Sequence, residues 1–418
     1  MKKIILRLAV VFVMISLLCG TVWFICIRQN NREEQNYSEK TGSSSEPEPT
    51  GTTEKKETEM RAVWIPFMSL QLSEEERNRE GFEKKISEMF DNCVSHKLNT
   101  VIVHVRPFGD AIYPSEYFPW THILSGEQGK GLSFDPLECI TEQAHKRGLA
   151  VHAWINPLRI STGKTPPKLS EDNPYEKWKN KEGYFFKYND GIYYDPSNPE
   201  VRKLIINGAR ELAQKYDIDG VQIDDYFYPE EMTGYDRNAY DKYKASVANG
   251  YKPLSIEEWR KNNINMLISG MYDAVHSAGK GIVFGISPQC NFDNNEKMSA
   301  DIISWCTSGG YADYICPQLY VTNEHPVFPF DELADKWIQV VKNKDIRLYF
   351  GLGLYKAGTD ADSGTWLKSS NNISEQISSL RQKGANGFML YSYEFLDKPE
   401  TQEEVKNAMA EMELMNNE

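Results

Sequence analysis

Cysteine is scarce in this chain and forms no pattern: seven residues in 418, with no Cys-x-x-Cys pair. Five of them, Cys93, Cys139, Cys290, Cys306 and Cys316, fall in one large body, which is neither a disulfide framework nor a zinc site. They read as small buried apolar residues. His-x-x-x-His spacing is also missing, so metal-assisted deacetylation is the weakest enzymatic reading, and no metal or cofactor is called for. A nucleotide-binding doubly wound sheet needs a glycine-rich loop straight after an early strand. Here the turn after the first strand candidate is Pro66-Phe67-Met68-Ser69, without glycine. Beyond Arg32 there is no long run of Lys or Arg. The 47 basic residues face 60 acidic ones for a net charge of −13, and past residue 58 the balance is 39 against 53, or −14. A phosphate backbone wants a basic face, which argues against a nucleic-acid partner.

What the chain does have is material for a core: 40% apolar residues, 12% aromatic and 26% charged, which excludes wholesale disorder and a multi-span membrane protein. Lys2, Lys3 and Arg7 precede twenty residues, 8–27, without a formal charge. That length suits a membrane-spanning signal anchor over 1–27 better than a cleaved signal peptide, and the basic N-terminal flank places the bulk of the chain outside. Cleavage with secretion is the alternative. Residues 28–59 are polar, with the tract Thr41-Gly42-Ser43-Ser44-Ser45-Glu46-Pro47-Glu48-Pro49 at their centre, and read as a disordered stalk. A folded domain over 60–418 follows. The sequence carries no signal for oligomeric state.

From Met60 onward, short apolar β-rich runs alternate with amphipathic stretches. Strand candidates are Arg61 to Phe67, Thr100 to Arg106, Leu149 to Ile155, Gly220 to Asp224, Gly281 to Ser287, Tyr314 to Tyr320, Arg347 to Leu352 and Gly387 to Tyr393. Helical stretches separate them, and the last spans Thr401 to Met415. Eight β-α units in sequence predict the α/β class and a single (β/α)₈ TIM barrel. In that fold the ends of the strands line the active site. Reading only those places gathers Trp and Tyr, carboxylates, amides and Arg. Pyranose rings stack their C–H faces on aromatics and bridge their hydroxyls to carboxylates and amides, so the inventory suits a glycan.

The segments Arg61-Ala62-Val63-Trp64, Val105-Arg106-Pro107-Phe108-Gly109-Asp110-Ala111, His152-Ala153-Trp154-Ile155-Asn156-Pro157, Asp219-Gly220-Val221-Gln222-Ile223-Asp224-Asp225-Tyr226, Pro317-Gln318-Leu319-Tyr320 and Leu390-Tyr391-Ser392-Tyr393 resemble glycosyl-hydrolase-like family 10. This family of bacterial envelope-associated proteins is distinct from the family 10 xylanases. The resemblance covers about Glu59 to Leu396. It implies a TIM-barrel glycosidase with cell-wall glycan, peptidoglycan above all, as the substrate class. The fourth strand also resembles the Asp-Gly-x-Asp-x-Asp-x-Glu signature of family 18 chitinases. Gln222 replaces one Asp, however, and Tyr226 stands where the acid Glu would be, so the substrate-assisted mechanism is not carried over.

Glycoside hydrolysis ordinarily needs two carboxyls. Asp224 is the candidate nucleophile or base, with Asp225 or Glu394 as acid and Asp110 third; a helix cap or a bound cation is the plain alternative for Asp224 and Asp225, and a solvated loop carboxylate or salt bridge for Glu394. Arg106 ends the second strand, where pairing to Asp110 or Asp224 competes with a role toward substrate. His104 and His152 share its parity along with Trp154, yet a lone buried His is more often a hydrogen-bonded core residue. Trp154, Tyr226, Tyr228, Tyr320 and Tyr391 are candidate sugar platforms, and Asn156, Arg159, Gln289 and Gln318 candidate hydroxyl binders. A membrane-held, wall-binding scaffold that has lost its chemistry is the competing function.

Overall fold

Short apolar segments close into a ring because each is buried on both faces, as in the second strand, Thr100–Arg106, where all seven residues are buried. The computed structural model describes residues 59–229 and 234–414. The expected anchor over 1–27, all of the stalk but Glu59, Cys19 and Cys26 lie outside the described residues. Among those described, no helix is long and apolar enough to cross a membrane.

The barrel strands are β1 (Met60–Ile65), β2 (Thr100–Arg106), β3 (Ala150–Ile155), β7 (Gly220–Ile223), β8 (Val283–Ile286), the broken pair β9 (Tyr314–Ile315) and β10 (Gln318–Leu319), β11 (Arg347–Leu352) and β12 (Gly387–Leu390). All neighbours are parallel, and the β12–β1 and β9–β11 pairings close the ring into the expected eight-stranded barrel. The sixth strand differs from expectation by breaking at Cys316-Pro317, since proline has no N–H for the ladder.

Helices cover the outside. Arg79–Ser95 buries Phe82, Ile86, Met89, Phe90 and Cys93 at spacings of three and four, and Asn78 caps its start by accepting from Gly81 N at 3.0 Å. Each such side chain contributes about 1.5–3 kcal/mol on full burial. Cys93, Cys139, Cys306 and Cys316 are buried free thiols and Cys290 is half-buried.

The interior is a packed plug. Trp64 Nε1 donates to Gln222 Oε1 at 2.6 Å, Gln222 Nε2 donates to the Tyr314 hydroxyl at 3.2 Å, and His152 Nδ1 lies 2.9 Å from that hydroxyl. Ala62, Ile102, Tyr349 and Met389 fill the remainder. Gly285 makes room for the plug: a Cβ there would sit 1.9 Å from the Tyr314 ring.

Two insertions enlarge the C-terminal face. After β3, the strands β4 (Arg159–Ser161), β5 (Phe185–Tyr188) and β6 (Gly191–Tyr194) form a small antiparallel sheet in the order β4-β6-β5. After β7, an extra helix, Arg237–Ser246, precedes the crossover helix Ile256–His276.

Candidate active site

Asp224 follows directly on β7, one step above Gln222 on the inward face, and is 5% exposed. Its Oδ2 accepts from Trp154 Nε1 at 3.0 Å and Asn156 Nδ2 at 3.1 Å, and Tyr226 N approaches Oδ1 at 3.5 Å. Asn156 is itself fixed, because its Oδ1 accepts from Arg159 N at 3.1 Å. Asn156, expected as a hydroxyl binder, instead commits its side chain to Asp224 and to the turn at Arg159. Burial and the neighbouring Asp225 push Asp224 up to about 7, against the lowering effect of Arg159 and of the Trp154 N–H. Asp225, half-buried at the rim, leans the other way, where its Oδ1 accepts from Gln318 Nε2 at 3.0 Å; burial raises it too.

The pair therefore retains a proton near neutrality. Asp224 is surrounded by N–H groups, which favour a charged acceptor, and the Gln318 and Gln289 amides act on Asp225 in the same sense. Burial raises both carboxyls, and the pair shares the proton.

Aromatic rings and amides surround this pair. Tyr226 is 44% exposed, with the Arg159 guanidinium 5.0 Å from its ring centre and equally far from Phe108. Tyr391 lies 5.9 Å from Trp64 and 5.6 Å from Tyr320, and Tyr355 completes the wall at 5.6 Å from Tyr320. Burial, together with the charges of Glu394 and Asp224, pushes the Tyr391 phenol up to about 12. Glu394 follows β12, across the ring from β7, and accepts from Ser69 Oγ at 2.5 Å and Ser392 Oγ at 2.6 Å. Gln289 pairs with Gln318 in an isolated bridge, and its Oε1 accepts from Asn294 Nδ2 at 3.0 Å.

Five residues expected at the mouth lie elsewhere. The β2–β3 register slips between His104 and Arg106, so Arg106 loses its shared parity and turns outward. Its guanidinium sits 4.4 Å from the Phe118 ring centre, against Gly208 of the helix Pro199–Lys215. Asp110 is wholly buried in the same shell, accepting from Gln128 Nε2 at 2.9 Å with His122 Nδ1 at 3.6 Å. Tyr228 is fully buried and stacks 6.3 Å from Phe186 beneath the small sheet. His152 belongs to the plug, where burial lowers it to about 4. His104 lies one layer below Asp224, stacked 3.6 Å from Trp154, and burial keeps it neutral. It touches the site only through that ring.

Tyr355 and Ser69 were not anticipated. Tyr355 closes the seventh strand-end segment as Tyr320 closes the sixth, so the same reading would have found it. Ser69 has no signal in the sequence.

Barrel and mouth together define a TIM-barrel domain of the glycoside-hydrolase type. The sequence profile described as Glycosyl hydrolase-like 10 matches residues 59–367, and the chain belongs to that family. It is 33% identical over 366 residues to glycosyl hydrolase YngK of Bacillus subtilis, covering 81% of this chain and 69% of that one. It is 29% identical over 440 residues to glycosyl hydrolase DigH of Escherichia coli K12, covering 97% and 96%. Among solved structures, the PgaB (BpsB) glycoside hydrolase domain from Bordetella bronchiseptica superposes with a TM-score of 0.54 at 14% identity, over 84% of this chain and 99% of that one. At that identity the likeness is one of fold.

Proposed function

We propose that this protein is a glycoside hydrolase that cleaves a cell-envelope polysaccharide, with peptidoglycan glycan strands as the substrate class, and that the N-terminal segment holds the barrel at the outer side of the membrane. The observation that carries the catalytic reading is the Asp224–Asp225 pair at the C-terminal end of β7, two adjacent carboxyls that burial raises and that hold a proton between them. Asp225 protonates the leaving glycosidic oxygen. Asp224 sets its charge against the cation developing at the anomeric carbon, as nucleophile or as base toward water. Tyr226 and Tyr391 offer ring faces, and Arg159 and Gln318 offer hydrogen bonds to hydroxyls.

The test is turnover of purified wall glycans by Asp224→Asn and Asp225→Asn, with products identified by mass. Both variants should lose hydrolysis while still binding glycan. Unchanged hydrolysis by Asp224→Asn would remove that residue from the chemistry. A wall-binding scaffold without chemistry is favoured by one observation, the hydroxyls on both oxygens of Glu394, which leave no second carboxyl unengaged opposite Asp224. Tight binding by the wild-type chain with no product after long incubation selects it. Membrane attachment is checked by fractionating cells that carry the chain with and without residues 1–27.

A further inference from the structure

Away from Asp224, two adjoining hollows of about 580 and 470 Å³ run between the base of the small sheet and the helix Arg237–Ser246, and both are lined by Ser197, Ala239 and Lys242. Each lies within the roughly 300–1,000 Å³ of small-ligand sites. The groove has a polar floor. Asp195, 3% exposed, lines the larger hollow, with its Oδ1 accepting from Ser197 N at 2.8 Å. Asn263, 2% exposed, lines the smaller one, and its amide acts on the buried Tyr228 hydroxyl beneath.

The walls carry Lys179, Lys181 and Lys242 beside Glu182, a cluster of cations in a domain whose overall charge is −14 past residue 58. Lys179 and Lys242 line the groove and are paired with Glu176 and Glu182 at 2.5 and 3.5 Å, but among the described residues the Lys181 ammonium meets only the face of Tyr184, at 5.0 Å. The groove also connects to the mouth by rings. Tyr235, half exposed at its edge, stacks 6.3 Å from Phe186, and Phe186 stacks 5.7 Å from Tyr193 with the planes 17° apart. Tyr193 is close enough to Tyr226 for the two phenols to interact electrostatically.

We propose that this groove is an accessory binding site for a carboxylate-bearing stretch of a glycan chain, another part of which lies in the mouth. The identity of the chain rests on the glycosidase reading. Tyr235 takes a sugar face, Lys181 and Lys242 take the carboxylates, and Asp195 bonds hydroxyls at the floor. Longer acidic chains are thereby held in preference to short or neutral ones.

The test uses the full chain carrying Asp224→Asn, titrated by calorimetry with peptide-free peptidoglycan strands, which are acidic, and with chitohexaose, which is neutral. At low salt the acidic strands should bind about tenfold more tightly, and the preference should fall as salt is raised. Adding Lys181→Glu and Lys242→Glu should abolish it, and Lys181→Ala alone, at an exposed position, should lower it about threefold. Equal affinity for the two probes, or a preference that survives both charge reversals in a protein with an unchanged melting curve, overturns the proposal. Product release from peptide-free peptidoglycan strands by the wild-type chain reports separately on the mouth. Its absence would sink the glycosidase reading and leave the affinity comparison to decide the groove.

Discussion

Asp224→Asn makes a prediction about stability that is independent of any substrate. In the folded chain this carboxyl is lifted from 3.8 to about 7, chiefly by burial and then by Asp225. A carboxyl raised on folding keeps its proton longer in the native than in the unfolded state. The native state is therefore favoured below the unfolded value, and this advantage is lost as pH climbs from about 4 through about 7. Each unit is worth about 1.36 kcal/mol, so the full displacement amounts to roughly 4 kcal/mol, and relaxation of the Asp225 neighbour reduces the expected figure to ~2–4 kcal/mol. Asparagine has nothing to titrate. Chemical unfolding of wild type and variant from about pH 4 to pH 8 should give a stability difference that shifts in favour of the variant by that amount across the interval and is flat above it. Other raised carboxyls, Asp195 and Glu404, contribute to both proteins and cancel. A difference that does not change with pH would refute the reasoning that Asp224 is charged at a cost in the native state.

Trp154→Phe keeps a ring over His104 but removes one N–H from Asp224. The loss of a hydrogen bond to a charged group, worth about 1.5–3 kcal/mol, should move the Asp224 limb of the pH–rate profile upward by roughly 1–2 units. An unmoved limb in a folded variant would contradict the assigned charge. Arg106→Met should retain turnover, because Arg106 lies in the shell behind β2, whereas Arg159→Met should weaken glycan affinity about tenfold through loss of the cation beside Tyr226; steady-state kinetics and calorimetry on the two variants would show a reversed order if the assignment is wrong. Gly285→Ala places a methyl inside the Tyr314 ring and should destabilise the barrel by about 3 kcal/mol or more, read as a lower denaturation midpoint.

The barrel was legible because its signal is repeated: eight apolar runs, each followed by an amphipathic stretch, leave few other ways to bury both faces of every strand. Asp224, Asn156 and Trp154 were legible for the same reason, since simple alternation from a strand end places them inward. Arg106 was not, because a one-residue slip between His104 and Arg106 reverses the face on which the guanidinium emerges, and nothing local to Pro107 announces it. The inserted sheet had a signal that went unused. Asn189-Asp190-Gly191 between two aromatic runs is a hairpin turn, and Asn189 adopts a φ of 50° there. Ser69 reaches Glu394 over 325 positions, and no window of sequence contains both.

The hydrogen-bonded stopper of Trp64, Gln222 and Tyr314 makes the cavity blind. Nothing can thread through the ring, so any polymer held at the strand ends would have to lie across the rim.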